Sequence, residues 1–346
     1  MSLRVSIKKR LGAFSLNADF SSENDKLALL GGSGSGKSVT LRCIAGIMKP
    51  DEGHIELDGK ILFDSSKGIN LPPQKRHIGY LFQQYALFPN MTAQQNIEVA
   101  VRDKSKREET AVRLLKMFRL EDAASRHPAQ LSGGQQQRLA LARILASEPN
   151  MLMLDEPFSA LDSYLKTQLE QELTETLGNF GGDIIWVTHD RDEVFRNCTR
   201  ICVIDAGKTQ PVVTPEELFH DPKTASAAKL SGCKNIVKAV PNGNSVVVPC
   251  WGTSLACTIN VPSEISAIGL RAHKVHLAQP EDVNIMPCSV VRVADNVFST
   301  MLVLRPLGSV TDAPVLFMET DAKKTEFWNT ENITVAIAPE DILLLR

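Results

Sequence analysis

The stretch that decides the fold is "GGSGSGKS", residues 31–38, set between the apolar run "KLALL" (26–30) and "VTLRCIAGI" (39–47), which can form a helix. It fits G-x-x-x-x-G-K-[ST] in the strand-then-helix setting that gives the pattern meaning. Gly31, Gly34 and Gly36 carry no Cβ, so the backbone there can turn tightly and approach a ligand closely. Consecutive N–H groups then face phosphate oxygens at the positive end of the following helix. The expected cradle is Gly31, Gly32, Ser33, Gly34, Ser35, Gly36, Lys37 and Ser38, with Val39 behind it. Lys37 suits the β- and γ-phosphates, and Ser38 offers a hydroxyl to Mg²⁺. A flexible connector is the competing reading; it fails because strand and helix follow without a break.

Outward from this loop, short apolar runs alternate with longer helical patterns, as in a parallel α/β sheet. "HIGYLF" (77–82), "MLMLD" (151–155), "DIIWVTH" (183–189) and "RICVID" (200–205) read as strands beside "KLALL". Several are apolar at consecutive positions, as strands covered on both faces must be. "AVRLLKMFRL" (111–120), "QQRLALARILA" (136–146) and "LKTQLEQELTETL" (165–177) have helical spacing. "MLMLDEP" puts Asp155 and Glu156 at the carboxyl end of a buried strand, the edge where open α/β sheets bind ligands. Asp155 suits Mg²⁺, directly or through water. Glu156 suits polarising a water for in-line attack on a γ-phosphate. His189 ends another such strand, within reach of the same terminal phosphate.

The 346 residues leave room for two domains. A 43% hydrophobic and 23% charged composition is that of an ordinary globular chain. A net charge of −2 predicts no general attraction to nucleic acid or anionic lipid. Seven cysteines without a CxxC pair predict reduced, buried thiols in a cytosolic chain and argue against zinc. The opening residues, "MSLRVSIKKRLGAF", have no secretory apolar core, and no run approaches the roughly 18 apolar residues of a membrane span. Any membrane crossing then falls to another chain.

Near residue 231 the texture changes. The tail is poorer in charge and rich in β-type stretches: "NSVVVPCWG", "CSVVRVADNVF", "TMLVLRPL", "NITVAIA". The expectation is a domain at 1–231 and an all-β domain at 232–346. Within the tail, "GLRAHKVHL" (269–277) and "AIAPEDILL" (336–344) share a pattern that suggests two similar β units in tandem.

"LSGGQQQRLALARIL" (131–145) narrows the reading. Ser132, Gly133 and Gly134 make a bare-backbone helix start with a small N-cap, a second surface able to hold phosphate. Here the sequence resembles the ATP-binding subunits of ABC transporters. Over residues 1 to about 231 the whole motif series stands in order: the phosphate loop, the Q-loop at Gln83 in "LFQQYALFPN", "LSGGQ", "MLMLDEP", the D-loop "SALD" (159–162) and the histidine switch at His189. The resemblance implies a P-loop ATPase domain of mixed sheet plus helical subdomain. It implies a head-to-tail homodimer in which ATP lies between Gly31–Ser38 of one subunit and Ser132, Gly133, Gly134 and Gln135 of the other. Gln83 would contact Mg²⁺ or the attacking water, and Asp162 would communicate across the dimer. The sequence departs from the family at Val39, where Thr is usual, and at Gly31-Gly32, where Gly-Pro is usual. Phe14 and Leu11 are the candidates for the position that stacks on adenine.

Tyr85, Leu87, Phe88 and Pro89 form an apolar loop after Gln83, read as a contact for two transmembrane permease subunits or as packing under the helical subdomain. A β tail resembles importer ATPases with small OB-like regulatory barrels. "DSSKGINLPPQKRHIGYLFQ" (64–83) looks most like molybdate and sulfate importers; iron(III), polyamine and sugar importers share the layout. The resemblance thus implies an ATPase on the cytoplasmic face of the membrane, served indirectly by an extracytoplasmic substrate-binding protein, with a tail that could bind the oxyanion and halt transport. The rival reading is a non-transport ABC ATPase acting on DNA or ribosomes. No heptad run separates the phosphate loop from "LSGGQ", and one ATPase half is present, which disfavours it. The other rival, a signalling module with a vestigial ATPase, conflicts with the intact Lys37, Ser38, Asp155, Glu156 and His189.

Overall fold

The computed structural model describes residues 2–82, 84–158, 163–178, 180–321 and 330–346, without the side chains of residues 163–165, 168, 169, 172 and 176. It divides into two compact units, Met1–Pro215 and Glu216–Arg346.

The first unit runs β1 (Ser2–Leu11), β2 (Phe14–Glu23), β3 (Lys26–Leu30), α1 (Lys37–Ala45), β4 (Glu52–Leu57), β5 (Lys60–Asp64), β6 (Ile69–Asn70), α2 (Pro73–Arg76), β7 (Ile78–Leu81), α3 (Ala93–Glu98), α4 (Arg107–Met117), α5 (Gly133–Ala146), β8 (Met151–Asp155), α6 (Ser163–Gly178), β9 (Asp183–Thr188), α7 (Arg191–Asn197), β10 (Arg200–Asp205) and β11 (Lys208–Thr209). Among the described residues eleven strands join in the order β6-β5-β4-β1-β2-β11-β10-β3-β9-β8-β7. The five strands expected from sequence are present, with β7 and β9 trimmed at their ends. The expected helix over 111–120 begins earlier, at Arg107, and ends at Met117.

The sheet has two textures for a physical reason. β10, β3, β9, β8 and β7 pair in parallel, and every residue of β8 and β9 is buried, because helices cover parallel strands on both faces. β1 and β2 alternate buried and exposed side chains along an antiparallel pair with one wet face. Gly79 in β7 marks a close approach: a Cβ there would lie 2.4 Å from the Ile144 side chain of α5 and 2.8 Å from that of Leu152.

Register places the functional edge. Leu30 pairs with Thr188, and Asp155 with Val187, so Gly31, Glu156 and His189 leave the sheet side by side. The helix that carries Lys37 and Ser38 is held from its far end by Arg76. This residue is 1% exposed, and its guanidinium donates to the Cys43 and Ile44 carbonyls at 2.9 and 2.8 Å, to Leu71 O and to Asn70 Oδ1. Arg76 thus reaches carbonyls in the last turn of α1, where the helix runs out of its own donors; the Cys43 carbonyl also accepts from the Gly46 N–H at 3.2 Å. Gly46, at φ +80°, closes the turn; a Cβ there would strike Arg76 Nε at 2.5 Å.

The second unit begins within α8 (Pro215–His220) and continues through α9 (Ala225–Leu230), β12 (Asn235–Lys238), β13 (Val240–Asn242), β14 (Ser245–Val248), β15 (Thr253–Ala256), β16 (Ala267–Leu270), β17 (His276–Leu277), β18 (Asn284–Asp295), β19 (Thr300–Pro306), β20 (Leu316–Thr320), β21 (Asn332–Ile337) and β22 (Ile342–Leu345). Its described strands form antiparallel sheets ordered β12-β16-β22, β13-β14-β15 and β17-β21-β18-β19-β20 around one core built on Trp251, Leu255, Ile268, Leu302 and Val335. The fold class is thus the expected one, a P-loop α/β unit of mixed sheet and helices followed by a small all-β unit with curled antiparallel sheets. Two buried amides bind the sheets together. Asn235 donates to the carbonyls of Leu270 and Phe317 and accepts from Phe317 N, while Asn284 exchanges two bonds with Ala256.

Composition changes near 231, yet the compact units meet at 215/216. Ala228 of α9 is buried with Cys233, Ala267, Leu343 and Leu345, and Arg271 donates to the carbonyls of Phe219 and Ser231. The connecting helices are polar outside and packed inside on the β unit. The two stretches of matching pattern are not successive units: each is a strand, a turn and a strand, and they pair with each other antiparallel, β16 on β22 and β17 on β21.

All seven cysteines are free, and Cys43, Cys198, Cys202, Cys233 and Cys288 are buried. Burial pushes the thiols of Cys43 and Cys288 up to about 11 and that of Cys202 to about 12.

Two outcomes follow from these contacts. Arg76→Met removes the donor to the Ile44 and Leu71 carbonyls and one of the two donors to the Cys43 carbonyl, and should cost about 3 kcal/mol in a urea titration; a loss below ~1 kcal/mol would show that α1 does not need this cap. Asp183 opens β9 with Oδ1 accepting from Asp25 N and Ser22 Oγ, while Oδ2 is buried without a donor among the described residues. Burial raises its carboxyl above the usual range, so folding favours the protonated form and the penalty is in force once pH exceeds that raised value. Asp183→Asn should therefore raise the melting temperature at pH 7, with the gain shrinking as pH falls toward about 4; a pH-independent difference rules this account out.

Candidate functional site

Gly36 caps α1 in a left-handed conformation (φ +112°), and Gly34 sits at φ +75°. A Cβ on Gly36 would meet Leu16 at 2.9 Å and the Phe14 ring at 3.0 Å, and one on Gly31 would meet Ile204 O at 2.4 Å. The glycines are thus demanded by backbone geometry as well as by access. Lys37 folds back over the loop, its Nζ donating to Gly31 O at 2.7 Å and Gly32 O at 3.0 Å. Burial pulls the Lys37 ammonium below its usual range, against the opposing charges of Glu156 and Asp155.

A cavity of about 630 Å³ opens over this loop, lined by Phe14, Ser33 through Val39, Glu156 and His189. Across from the loop, Ser38 Oγ donates to Asp155 Oδ1 at 3.4 Å, and Tyr80 Oη donates to Asp155 Oδ2 at 2.9 Å. Burial raises the Asp155 carboxyl; the bonds from Tyr80 and Ser38 oppose that shift. Glu156 adopts φ +49°, a left-handed conformation that costs a non-glycine residue on the order of 1 kcal/mol, and its N–H bonds to Val187 O at 2.8 Å. This turn aims the carboxylate at His189, whose Nδ1 lies 3.5 Å from Glu156 Oε1. Behind them Lys166 of α6 contacts Asp190 and reaches Glu193 at 3.4 Å; Glu193 also accepts from Trp186 and Thr188.

The second glycine stretch starts α5. Ser132 Oγ accepts from Gln135 N at 3.3 Å while Gln135 Oε1 accepts from Ser132 N at 3.0 Å, a reciprocal N-cap. Ser132 and Gly133 are exposed. These residues do not border the 630 Å³ cavity of their own chain.

The expected residues Gly31 through Val39, Asp155, Glu156 and His189 lie at one edge, and Ser132–Gln135 at another place on the same unit. Gln83 and Asp162 lie outside the described residues. Of the apolar loop, Tyr85 and Leu87 are half-buried and Phe88 is 45% exposed. Tyr85 and Ala86 both have positive φ, and Arg143 of α5 donates to their two carbonyls while lying 5.1 Å over the Phe88 ring. Tyr80, Arg143, and Asn96, whose buried amide bonds the Phe88, Met91 and Thr92 carbonyls, were not visible in the sequence as supports of the site. A polar-tipped aromatic within the apolar "HIGYLF" was the one signal available.

Comparison with known proteins agrees with this geometry. The family model described as ABC transporter matches residues 16–159. The chain is 42% identical over 210 residues to the Fe(3+) ions import ATP-binding protein FbpC 2 of Haemophilus influenzae, covering 60% of this chain and 58% of that one. It is 41% identical over 232 residues to the spermidine/putrescine import ATP-binding protein PotA of Bacillus cereus, covering 65% and 67%. It thus spans less than two thirds of the Haemophilus protein's length. Among solved structures it resembles the dimeric post-hydrolysis state of the ATP-binding cassette MJ0796 bound to ADP and Pi, with a TM-score of 0.53, 32% identity and coverage of 62% of this chain and 99% of that one. It also resembles cbiO1 from Clostridium perfringens, part of the ABC transporter complex cbiONQ, with a TM-score of 0.53, 30% identity and coverage of 63% and 90%. Among the described residues no helix is long and apolar enough to cross a membrane. With the motif series in order, the phosphate loop facing Asp155, Glu156 and His189, and these relatives, the chain belongs to the ABC transporter family of ATP-binding proteins.

Proposed function

We propose that this chain is the ATP-hydrolysing subunit of an importer, acting at the cytoplasmic face of a membrane. The observation that carries the reading is the pairing of Glu156 and His189 at 3.5 Å on the rim of a cavity floored by the phosphate loop. Loop amides and Lys37 grip the phosphates; the Gly31 and Gly32 carbonyls that now hold the Lys37 ammonium yield it to phosphate oxygens. Glu156 polarises the attacking water, and His189 donates to the terminal phosphate and steadies Glu156. Ser38 and Asp155 are hard oxygen donors facing each other at 3.4 Å beside the loop, a set that fits Mg²⁺. Bound there with Gln83, Mg²⁺ would neutralise developing phosphate charge. The Phe14 ring, on the cavity wall, is the surface offered to adenine.

The exposed Ser132–Gly133 helix start completes the site of a second copy, so that two ATP molecules seal a homodimer and Asp162 links the two halves. The dimeric MJ0796 cassette supports this arrangement. The Gln83–Pro89 segment, with Phe88 exposed, is the surface for the two permease subunits, and an extracytoplasmic binding protein delivers cargo to them. The unit that follows, spanning the 232–346 stretch, is the regulatory domain. For cargo, residues 64–83 favour molybdate or a related oxyanion; the names of the relatives make iron(III) and polyamines the alternatives, with sulfate and sugars behind.

Two experiments decide these roles. Glu156→Gln should still bind ATP and dimerise in sedimentation, while turnover falls at least ~100-fold for loss of a general base; unchanged turnover removes Glu156 from that role. Calorimetry of the full chain with molybdate, tungstate and sulfate should give binding heat for at least one; no heat from any removes oxyanion regulation.

A further inference from the structure

Asp155 has two carboxylate oxygens with different surroundings. Oδ1 faces Ser38 across 3.4 Å, toward the phosphate loop. Oδ2 is taken by the Tyr80 hydroxyl at 2.9 Å. Tyr80 lies on β7, which pairs in parallel with β8 so that Tyr80 stands opposite Met153, two residues before Asp155. Its ring is half-buried and packs on Phe82, centroids 4.2 Å apart. Arg42, one turn beyond Ser38 on α1, acts electrostatically on both Tyr80 and Asp155.

With Oδ2 held by the shorter Tyr80 bond and Oδ1 met only by the long Ser38 contact, the phenol is the stronger of the two restraints on this buried carboxylate, and it fixes the rotamer that presents Oδ1 to Ser38. Without the phenol, Oδ2 loses its nearest donor and the carboxylate can swing about χ2 toward Arg42 or Ser38. Partners of this kind around metal-binding carboxylates set ligand orientation, and their loss typically weakens metal binding about 10-fold or more.

We propose that Tyr80 is a positioning residue for the divalent cation: it clamps Asp155 Oδ2 and leaves Oδ1 aimed at the metal position beside Ser38. The proposal rests on the reading of Asp155 as a metal holder. Phosphate binding by loop amides and Lys37 does not involve Tyr80, so cation and nucleotide affinities separate.

The test uses the full chain, a non-hydrolysable ATP analogue and Mn²⁺ followed by electron paramagnetic resonance. Tyr80→Phe keeps the ring and its packing on Phe82. The expected result is Mn²⁺ affinity in the ternary complex lowered about 10-fold. Analogue affinity in EDTA should stay within twofold of wild type, and the melting temperature should be nearly unchanged. Unchanged Mn²⁺ affinity overturns the proposal, as does an equal fall in metal-free analogue affinity, which would mark Tyr80 as a general support of the cavity. Asp155→Asn in the same assay separates the two layers. If it weakens Mn²⁺ and Tyr80→Phe does not, only the clamp fails. If neither weakens Mn²⁺, the metal assignment of Asp155 falls and the clamp with it.

Discussion

Register among β3, β8 and β9 is the constraint on which the site depends. The pairs Leu30–Thr188 and Asp155–Val187 bring three chain segments off the sheet at one line. A slip of one residue in β8 would move Asp155 by about 3.3 Å and turn it to the other face. The slip is prevented by burial: Met151 through Leu154 and Ile184 through Val187 are each at most 1% exposed, and neither strand has a wet face to exchange for a buried one. Hydrophobic packing of strands without any chemistry of their own therefore sets the distances between a phosphate loop, two acids and a histidine.

The left-handed turn at Glu156 adds a second layer. The chain leaves β8 with Asp155 still inside the sheet and buried, while Glu156 swings out to His189. Adjacent carboxylates thereby occupy different environments, one fixed by hydroxyl donors and one open to the cavity. Different environments are what allow neighbouring acids to take different tasks.

Much of this was legible in sequence because it is local. The phosphate loop, "LSGGQ" and the strand-end acids are contiguous runs whose geometry follows from residue type. The antiparallel half of the sheet carries a fainter signal: "LRVSIKK" alternates with period two, and such alternation stands out less than the dense apolar runs of the buried strands. What could not be read were supports that reach far along the chain: Tyr80 meets Asp155 across 75 residues, and Arg76 meets Cys43 across 33. Nothing in a single sequence says which strand lies beside β8. The composition shift near 231 and the meeting of the compact units at 215/216 report different things: charge counts follow the wet side of a helix, whereas packing depends on its dry side, here Ala227 and Ala228.

The distribution of the thiols gives the molecule an internal reporter. Cys43, Cys198 and Cys202 lie in the first unit, Cys233 and Cys288 in the second, and all are shielded from water. A thiol that is both sealed off and reluctant to ionise reacts with an alkylating reagent only when its surroundings open. The speed of labelling at each position then measures how often that part of the molecule breathes, so the α/β unit and the β unit each carry a separate clock for their own opening.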